Sequence, residues 1–197
     1  MNPVLAAADE LQRFCTRENW SYCFIGGLAV QRWGEPRNTR DADLTLVTGF
    51  GGEEPFVDKL LSAFQGRRSD AKSFAMQYRV LLLEAANGTP LDIALGAMPF
   101  EKNSVQRSSL WQLPENTSLR TCSAEDLIVH KVFAGRERDW LDVEGVLLVQ
   151  GSGLDFRQIR EELEPLLALK DSPESLEKFR QLCQKCGVLT PEDTERG

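Results

Sequence analysis

The chain has 197 residues, 42% of them hydrophobic and 27% charged; that balance excludes a disordered polypeptide, and no apolar run reaches the roughly 18 residues a membrane-spanning helix needs. Lys and Arg number 23 against 30 Asp and Glu, a formal net charge of -7, so the overall field repels a nucleic-acid backbone and any such contact has to be local. Residues 1–10 lack a basic stretch ahead of an apolar one, and five cysteines scatter at Cys15, Cys23, Cys122, Cys183 and Cys186; no secretory leader is expected, and the thiols are expected reduced in the cytoplasm.

In chain order, apolar spacing predicts a helix over 3–17, with Leu5, Leu11 and Phe14 on one side. A short aromatic strand over 21–25 runs into Gly26-Gly27, and a short helix over 28–33 stops near Gly34 and Pro36. A second strand covers 42–47 and a helix 53–64. Runs at 77–86 and 90–95 flank Asn87-Gly88, the strongest short hairpin signal available. After about residue 98 the pattern turns mostly helical, over 124–134, 137–150, 155–169 and 172–186. Strands first and helices second predict an α+β fold: a small mixed sheet flanked by helices, with a helical C-terminal half. The expected division is a 1–120 core, a 121–190 helical region packed on it, and a loose polar tail over 191–197. Cys183-x-x-Cys186 has metal or redox spacing without a second pair, and reads either as a zinc half-site or as two thiols on a terminal helix.

Three features carry chemistry. The strand-to-helix junction at Gly26-Gly27 offers unpaired backbone N–H groups and a positive dipole end, which suit a phosphate or simply make a tight turn. Thirteen residues on, Asp41 and Asp43 lie at i and i+2 on a strand flanked by Leu44 and Leu46, and so share a face. Adjacent carboxylates repel unless a cation compensates, and Mg²⁺ is held by one or two carboxylates, waters and substrate phosphates. Asp92 is a lone acid in the apolar run Leu91-Asp92-Ile93-Ala94; the hairpin places its strand where it can lie beside Asp41 and Asp43, and three carboxylates on neighbouring strands suit two metals. Further on, Ser123-Ala-Glu-Asp126 resembles a capping box, and the helix it starts carries Lys131 inside an apolar stripe. Such a lysine either snorkels or meets negative charge. Asp139 and Asp142 share a face near the start of the next helix, where the dipole favours acids.

Gly26-Gly27 followed by Asp41-Ala42-Asp43 resembles the signature of the nucleotidyltransferase superfamily with the DNA polymerase beta fold. The stretch from Ser123 to Ala134, followed by Arg138-Asp139-Trp140-Leu141-Asp142, resembles its AbiEii/AbiGii-type branch of toxin–antitoxin and abortive-infection proteins. The resemblance covers about residues 20 to 150. It implies that Gly26 and Gly27 contact nucleotide phosphates, and that Asp41, Asp43 and Asp92 are catalytic and bind Mg²⁺, two ions in all, with Asp92 positioning or deprotonating the acceptor. It implies nucleotide contacts for Lys131, Asp139 and Asp142. Arg37 and Arg40, between the glycines and the acids, either reach phosphate or solvate the surface. The family's third acidic motif is often a pair of acids; here Asp92 stands alone.

The expected function is Mg²⁺-dependent transfer of NMP from an NTP to a hydroxyl of an RNA (tRNA included), a protein or a small molecule, with release of pyrophosphate. A cognate antitoxin is an implied partner, and no membrane is. Two rivals stand beside this reading: an antibiotic-modifying nucleotidyltransferase, and a degenerate, non-catalytic regulator that binds nucleotide or a partner protein.

Overall fold

Asn2 opens α1 (Pro3–Arg17): its side-chain oxygen accepts from the Val4 N–H at 2.9 Å, and Pro3 takes the first turn, where no N–H is needed. Val4, Ala7, Ala8, Leu11, Phe14 and Cys15 form the buried stripe of this helix. The computed structural model describes residues 2–114 and 117–188; the tail expected over 191–197 lies outside the described residues. The described chain divides into two compact units, residues up to 28 with 38–122, and residues 29–37 with the chain from Ser123 onward.

The first unit holds one seven-stranded mixed sheet. Its strands are β1 (Tyr22–Phe24), β2 (Ala42–Val47), β3 (Gln65–Gly66), β4 (Val80–Glu84), β5 (Pro90–Gly96), β6 (Ser109–Gln112) and β7 (Ser118–Thr121), in the order β3-β4-β5-β2-β1-β7-β6. β2 runs parallel to β5 and β1 parallel to β7; the other neighbours are antiparallel. Leu44, Leu46, Leu81, Leu83, Leu91 and Ile93 bury one face against α1 and α3 (Glu54–Ala63). Their alternation leaves Asp43, Leu82 and Asp92 on the less buried face. The expected Asn87-Gly88 turn joins β4 to β5, with Asn87 Oδ1 accepting from the Thr89 N–H at 3.0 Å.

Two local expectations are corrected. Residues 77–78, expected in a strand, end the helix α4 (Ala71–Tyr78). Arg79 stops that helix in the left-handed region at φ 56° and is tied down by an ion pair with Glu53 and a 3.0 Å bond to the Gly49 carbonyl. The region after 98 is not mainly helical at first: after α5 (Pro99–Arg107) come β6 and β7. These strands are short, with Ser, Thr and Gln in place of an apolar run; long-range pairing to β1 holds β7, and β6 pairs on β7 in turn, which local periodicity does not register.

In the second unit, Ser123 caps α6 (Ala124–Ala134) by accepting from the Asp126 N–H at 3.1 Å, and Gly135 closes it in a left-handed conformation. α7 (Glu137–Gln150), α8 (Phe156–Lys170) and α9 (Glu174–Lys185) follow. The chain enters this unit within α2 (Gly26–Trp33), whose end is bound to α7 by a 2.8 Å bond from Gln150 Nε2 to the Trp33 carbonyl. A Cβ at Gly145 would stand 3.2 Å from the Glu35 nitrogen, so this glycine permits the close approach of residues 34–37. Cys183 is buried on α9 and Cys186 is its C-terminal cap; neither forms a disulfide. No described helix is long and apolar enough to cross a membrane.

Candidate functional site

The sheet register assembles the first cluster. β1 and β2 pair with Phe24 opposite Leu44, and the Ile25 N–H donates to the Asp43 carbonyl at 2.9 Å. The end of β1 is thereby fixed beside the start of β2. Gly26 then turns the chain at φ 57° into α2. A Cβ on Gly26 would fall 2.0 Å from Asp43 Oδ2, so only glycine lets the backbone lie against that carboxylate. A Cβ on Gly27 would fall 2.3 Å from Thr39 Oγ1. Thr39 in turn donates to Asp41 Oδ1 at 2.8 Å. Gly26, Gly27, Thr39, Asp41 and Asp43 therefore form one tight group, with the N-terminal N–H groups of α2 opening beside the carboxylates.

Asp92 joins them through β5, where it pairs directly with Asp43 across two parallel strands. Burial is the largest influence on its carboxyl and pushes it above the ordinary 3.8; the Arg67 guanidinium opposes this, and the neighbouring Asp41 adds to it. Arg67 donates to Asp92 Oδ1 in an ion pair, the two side chains being 29% and 33% exposed. Neither Arg67 nor Thr39 is singled out in the sequence analysis. Nothing in the local sequence marks either one, because both act across strands. Arg40 is exposed on the segment leading into Asp41.

Among the described residues, no three His, Cys, Asp or Glu side chains converge as a ready-made metal cage. The donor set nonetheless suits Mg²⁺. Its carboxylates are hard oxygen ligands, at least one face of the group meets solvent, and Mg²⁺ completes its shell with waters and phosphate oxygens.

The second unit gathers Lys131, Asp139, Asp142 and Arg37. Lys131 Nζ reaches Asp139 Oδ1 at 3.0 Å and Asp142 Oδ2 at 2.8 Å. Arg37 holds Asp142 with two bonds, Nε to Oδ1 at 2.6 Å and a second nitrogen to Oδ2 at 2.9 Å. Arg136 Nε donates to Asp139 Oδ2 at 2.6 Å. Burial would raise both acids, but the guanidinium and ammonium bonds outweigh it and hold Asp139 and Asp142 below the ordinary carboxylate value. His130, the one histidine, is lowered to about 4 by burial first and Lys131 second, so it is neutral at pH 7.

A family model described as "Nucleotidyl transferase AbiEii toxin, Type IV TA system" matches residues 17–182. No curated protein sequence matches the chain. Among solved structures, the fold resembles an antigenic nucleotidyltransferase-like protein from Paracoccidioides brasiliensis at TM-score 0.54 and 16% identity, covering 91% of this chain and 92% of that one. The antibiotic-resistance factor ANT(2'')-Ia matches at TM-score 0.49 and 17% identity over 90% of this chain and 96% of its own. The lincosamide adenylyltransferase LnuA, solved with lincomycin, matches at 0.45 and 13% over 70% and 92%. The first likeness concerns the fold alone, and the other two are weaker and do not bear on chemistry.

Proposed function

The chain belongs to the AbiEii nucleotidyltransferase toxin family, and from that premise we propose that Asp41, Asp43 and Asp92 form the centre of a Mg²⁺-dependent NMP transfer from an NTP to an acceptor hydroxyl. The observation that carries this reading is the pairing of Asp43 with Asp92 on parallel strands, directly against the glycine turn at Gly26. When bound, Mg²⁺ supplies charge neutralisation at the phosphates. The chain's own residues do the rest. The N–H groups at the start of α2 bind phosphate oxygens. Thr39 orients the Asp41 carboxylate, and Gly26 leaves room for that of Asp43. The acceptor oxygen forms a bond to the α-phosphorus as the bond to pyrophosphate breaks, and Asp92, with its raised affinity for protons, takes the hydroxyl proton. Positioning and electrostatics supply most of the acceleration.

The nucleotide roles of Lys131, Arg37, Arg40, Asp139 and Asp142 belong to the same proposal. For Lys131 and Arg37, phosphate would have to replace Asp142 or Asp139 as their anion, because both cations already have carboxylate partners. The acceptor is an RNA, a protein or a small hydroxyl compound, and a cytoplasmic toxin with a cognate antitoxin is the setting the family supports.

The test is transfer of label from each of the four α-³²P NTPs in the presence of Mg²⁺, to total RNA, to the protein itself and to a panel of small hydroxyl compounds. Wild type should label at least one acceptor class. Asp43→Asn should lose at least about a thousandfold, near 4 kcal/mol of transition-state stabilisation, with a melting midpoint no lower than that of wild type. Equal labelling by wild type and Asp43→Asn would remove the assignment.

A further inference from the structure

Thr39 links the glycine turn to the acids. It is half-buried, in the segment between α2 and β2. A Cβ built on Gly27 would stand 2.6 Å from Thr39 Cβ, and closer still to Thr39 Oγ1. The space that a side chain at position 27 would fill is therefore filled by the side chain of Thr39. Gly27 is the second residue of α2. The Thr39 hydroxyl thus lies against the first helical turn, where backbone N–H groups have no partner inside the helix.

A hydroxyl has one hydrogen to give and two lone pairs to accept with. That hydrogen goes to Asp41 Oδ1 at 2.8 Å, and the Asp41 carbonyl stands second at 3.3 Å. These contacts fix the oxygen, whereas rotation about the Cβ–Oγ bond redirects the hydrogen without moving a heavy atom. A phosphate oxygen drawn to the N–H groups at the start of α2 comes beside this hydroxyl. It then gains a side-chain donor that is already held in place, so little conformational entropy is lost on binding. Asp41 gives up its hydrogen bond at the point where, in the proposed function, it gains a cation.

Resting on the proposed function above, we infer that Thr39 is a nucleotide-binding residue, whose hydroxyl donates to Asp41 in the empty site and to a phosphate oxygen of the NTP in the loaded one. It does so from the place that a side chain at position 27 would take. The contact forms when the nucleotide binds, so its loss weakens binding itself. A threonine that only oriented Asp41 would act solely through the cation which that carboxylate holds. The two roles are therefore separable by measuring binding with and without a divalent ion.

The experiment is calorimetric titration of the full chain with the four α,β-methylene NTPs, in Mg²⁺ and again in EDTA. Thr39→Val, which keeps the shape and removes the hydroxyl, should raise Kd at least about tenfold in both conditions. Thr39→Ser should bind like wild type. Thr39→Ala should be as weak as Thr39→Val, and adding Gly27→Ser to it should restore affinity, because the new hydroxyl stands where that of Thr39 stood. An unchanged Kd for Thr39→Val overturns the inference, as does a loss seen only with Mg²⁺, since Thr39 then works through Asp41 alone. Wild-type binding that vanishes in EDTA also overturns it, because phosphate is then held through the cation. So does a double variant that melts like wild type and binds no better than Thr39→Ala. No NTP binding by wild type in either condition is a different failure: it removes the nucleotidyltransferase reading, and the role of Thr39 with it.

Discussion

Two clusters of charge, one in each unit, show how differently a protein can treat its acids. In the first unit, Asp43 and Asp92 stand side by side on paired strands, and the Arg67 guanidinium answers Asp92. Their side of the sheet is half-buried, and Asp92 is pushed toward its protonated form by burial and by its neighbour. In the second unit, two carboxylates meet Lys131, Arg37 and Arg136. Those acids are more deeply buried, yet both are held ionised. The lesson is that burial alone does not mark a functional acid. Acids held by several cations stay ionised however deeply they are buried, whereas burial with a single opposing guanidinium leaves an acid's proton affinity raised, as at Asp92.

Four substitutions break or sharpen that contrast. The largest effect belongs to Lys131→Met, which leaves Asp139 and Asp142 short of a cation. It should cost about 4 kcal/mol, seen as a large fall in the urea or thermal midpoint. Asp43→Asn, run beside it, should keep or raise the midpoint, because it relieves repulsion among the first unit's acids. If Lys131→Met melts like wild type, the second network is not a clamp and the contrast fails.

Next comes Gly26→Ala. The new methyl would meet the Asp43 carboxylate at 2.0 Å in a backbone conformation of φ 57°. Displacement of that carboxylate by about an ångström should lower kcat roughly a hundredfold, and the left-handed backbone should cost about 1–2 kcal/mol of stability. A variant with wild-type kcat would show that Asp43 tolerates movement, and would count against its assigned place.

The smallest effect is the pH dependence of Asp142→Asn. Asp142 binds its proton more weakly in the folded chain than the ordinary value of 3.8. Its contribution is therefore fully present above about pH 4 and fades as pH falls through the lower folded value. At pH 7 the variant should be about 2 kcal/mol less stable, the order of a lost pair of bonds to a charged group. Below pH 4 the gap between the two urea midpoints should narrow. A gap that is the same at pH 7 and pH 3 would mean that packing, and not ionisation, is what Asp142 contributes.

Much of the first cluster is legible in the chain itself. Gly26-Gly27 after an aromatic strand, the Asp-x-Asp spacing at 41 and 43, and Asp92 after the Asn87-Gly88 hairpin all act through short-range rules. A strand alternates its faces, Asn-Gly makes a tight turn, and a lone acid among apolar neighbours needs a partner. The helices of the second unit are legible for the same reason, since the apolar period and the Ser123 cap are local. The strands β6 and β7 are not, because they have little apolar pattern, and β7, on which β6 pairs, depends on a strand about a hundred residues away. α4 is hidden by Arg79, which ends it in a conformation that sequence patterns rarely allow to a non-glycine residue.

By itself, then, the sequence determined the kinds of element, the acids and glycines of the candidate centre, and the family resemblance. These rest on periodicity, turn chemistry and spacing within a few residues. Only the tertiary structure decided that Asp43 and Asp92 stand side by side, that Arg67 answers Asp92, and that Lys131 is already held by Asp139 and Asp142. It alone also decided that residues 29–37 join the C-terminal helices. The physical reason is that sheet register and buried ion pairing are set by contacts between distant segments. A change of register by one residue would send Asp92 to the other face, and no local pattern in the chain encodes that choice.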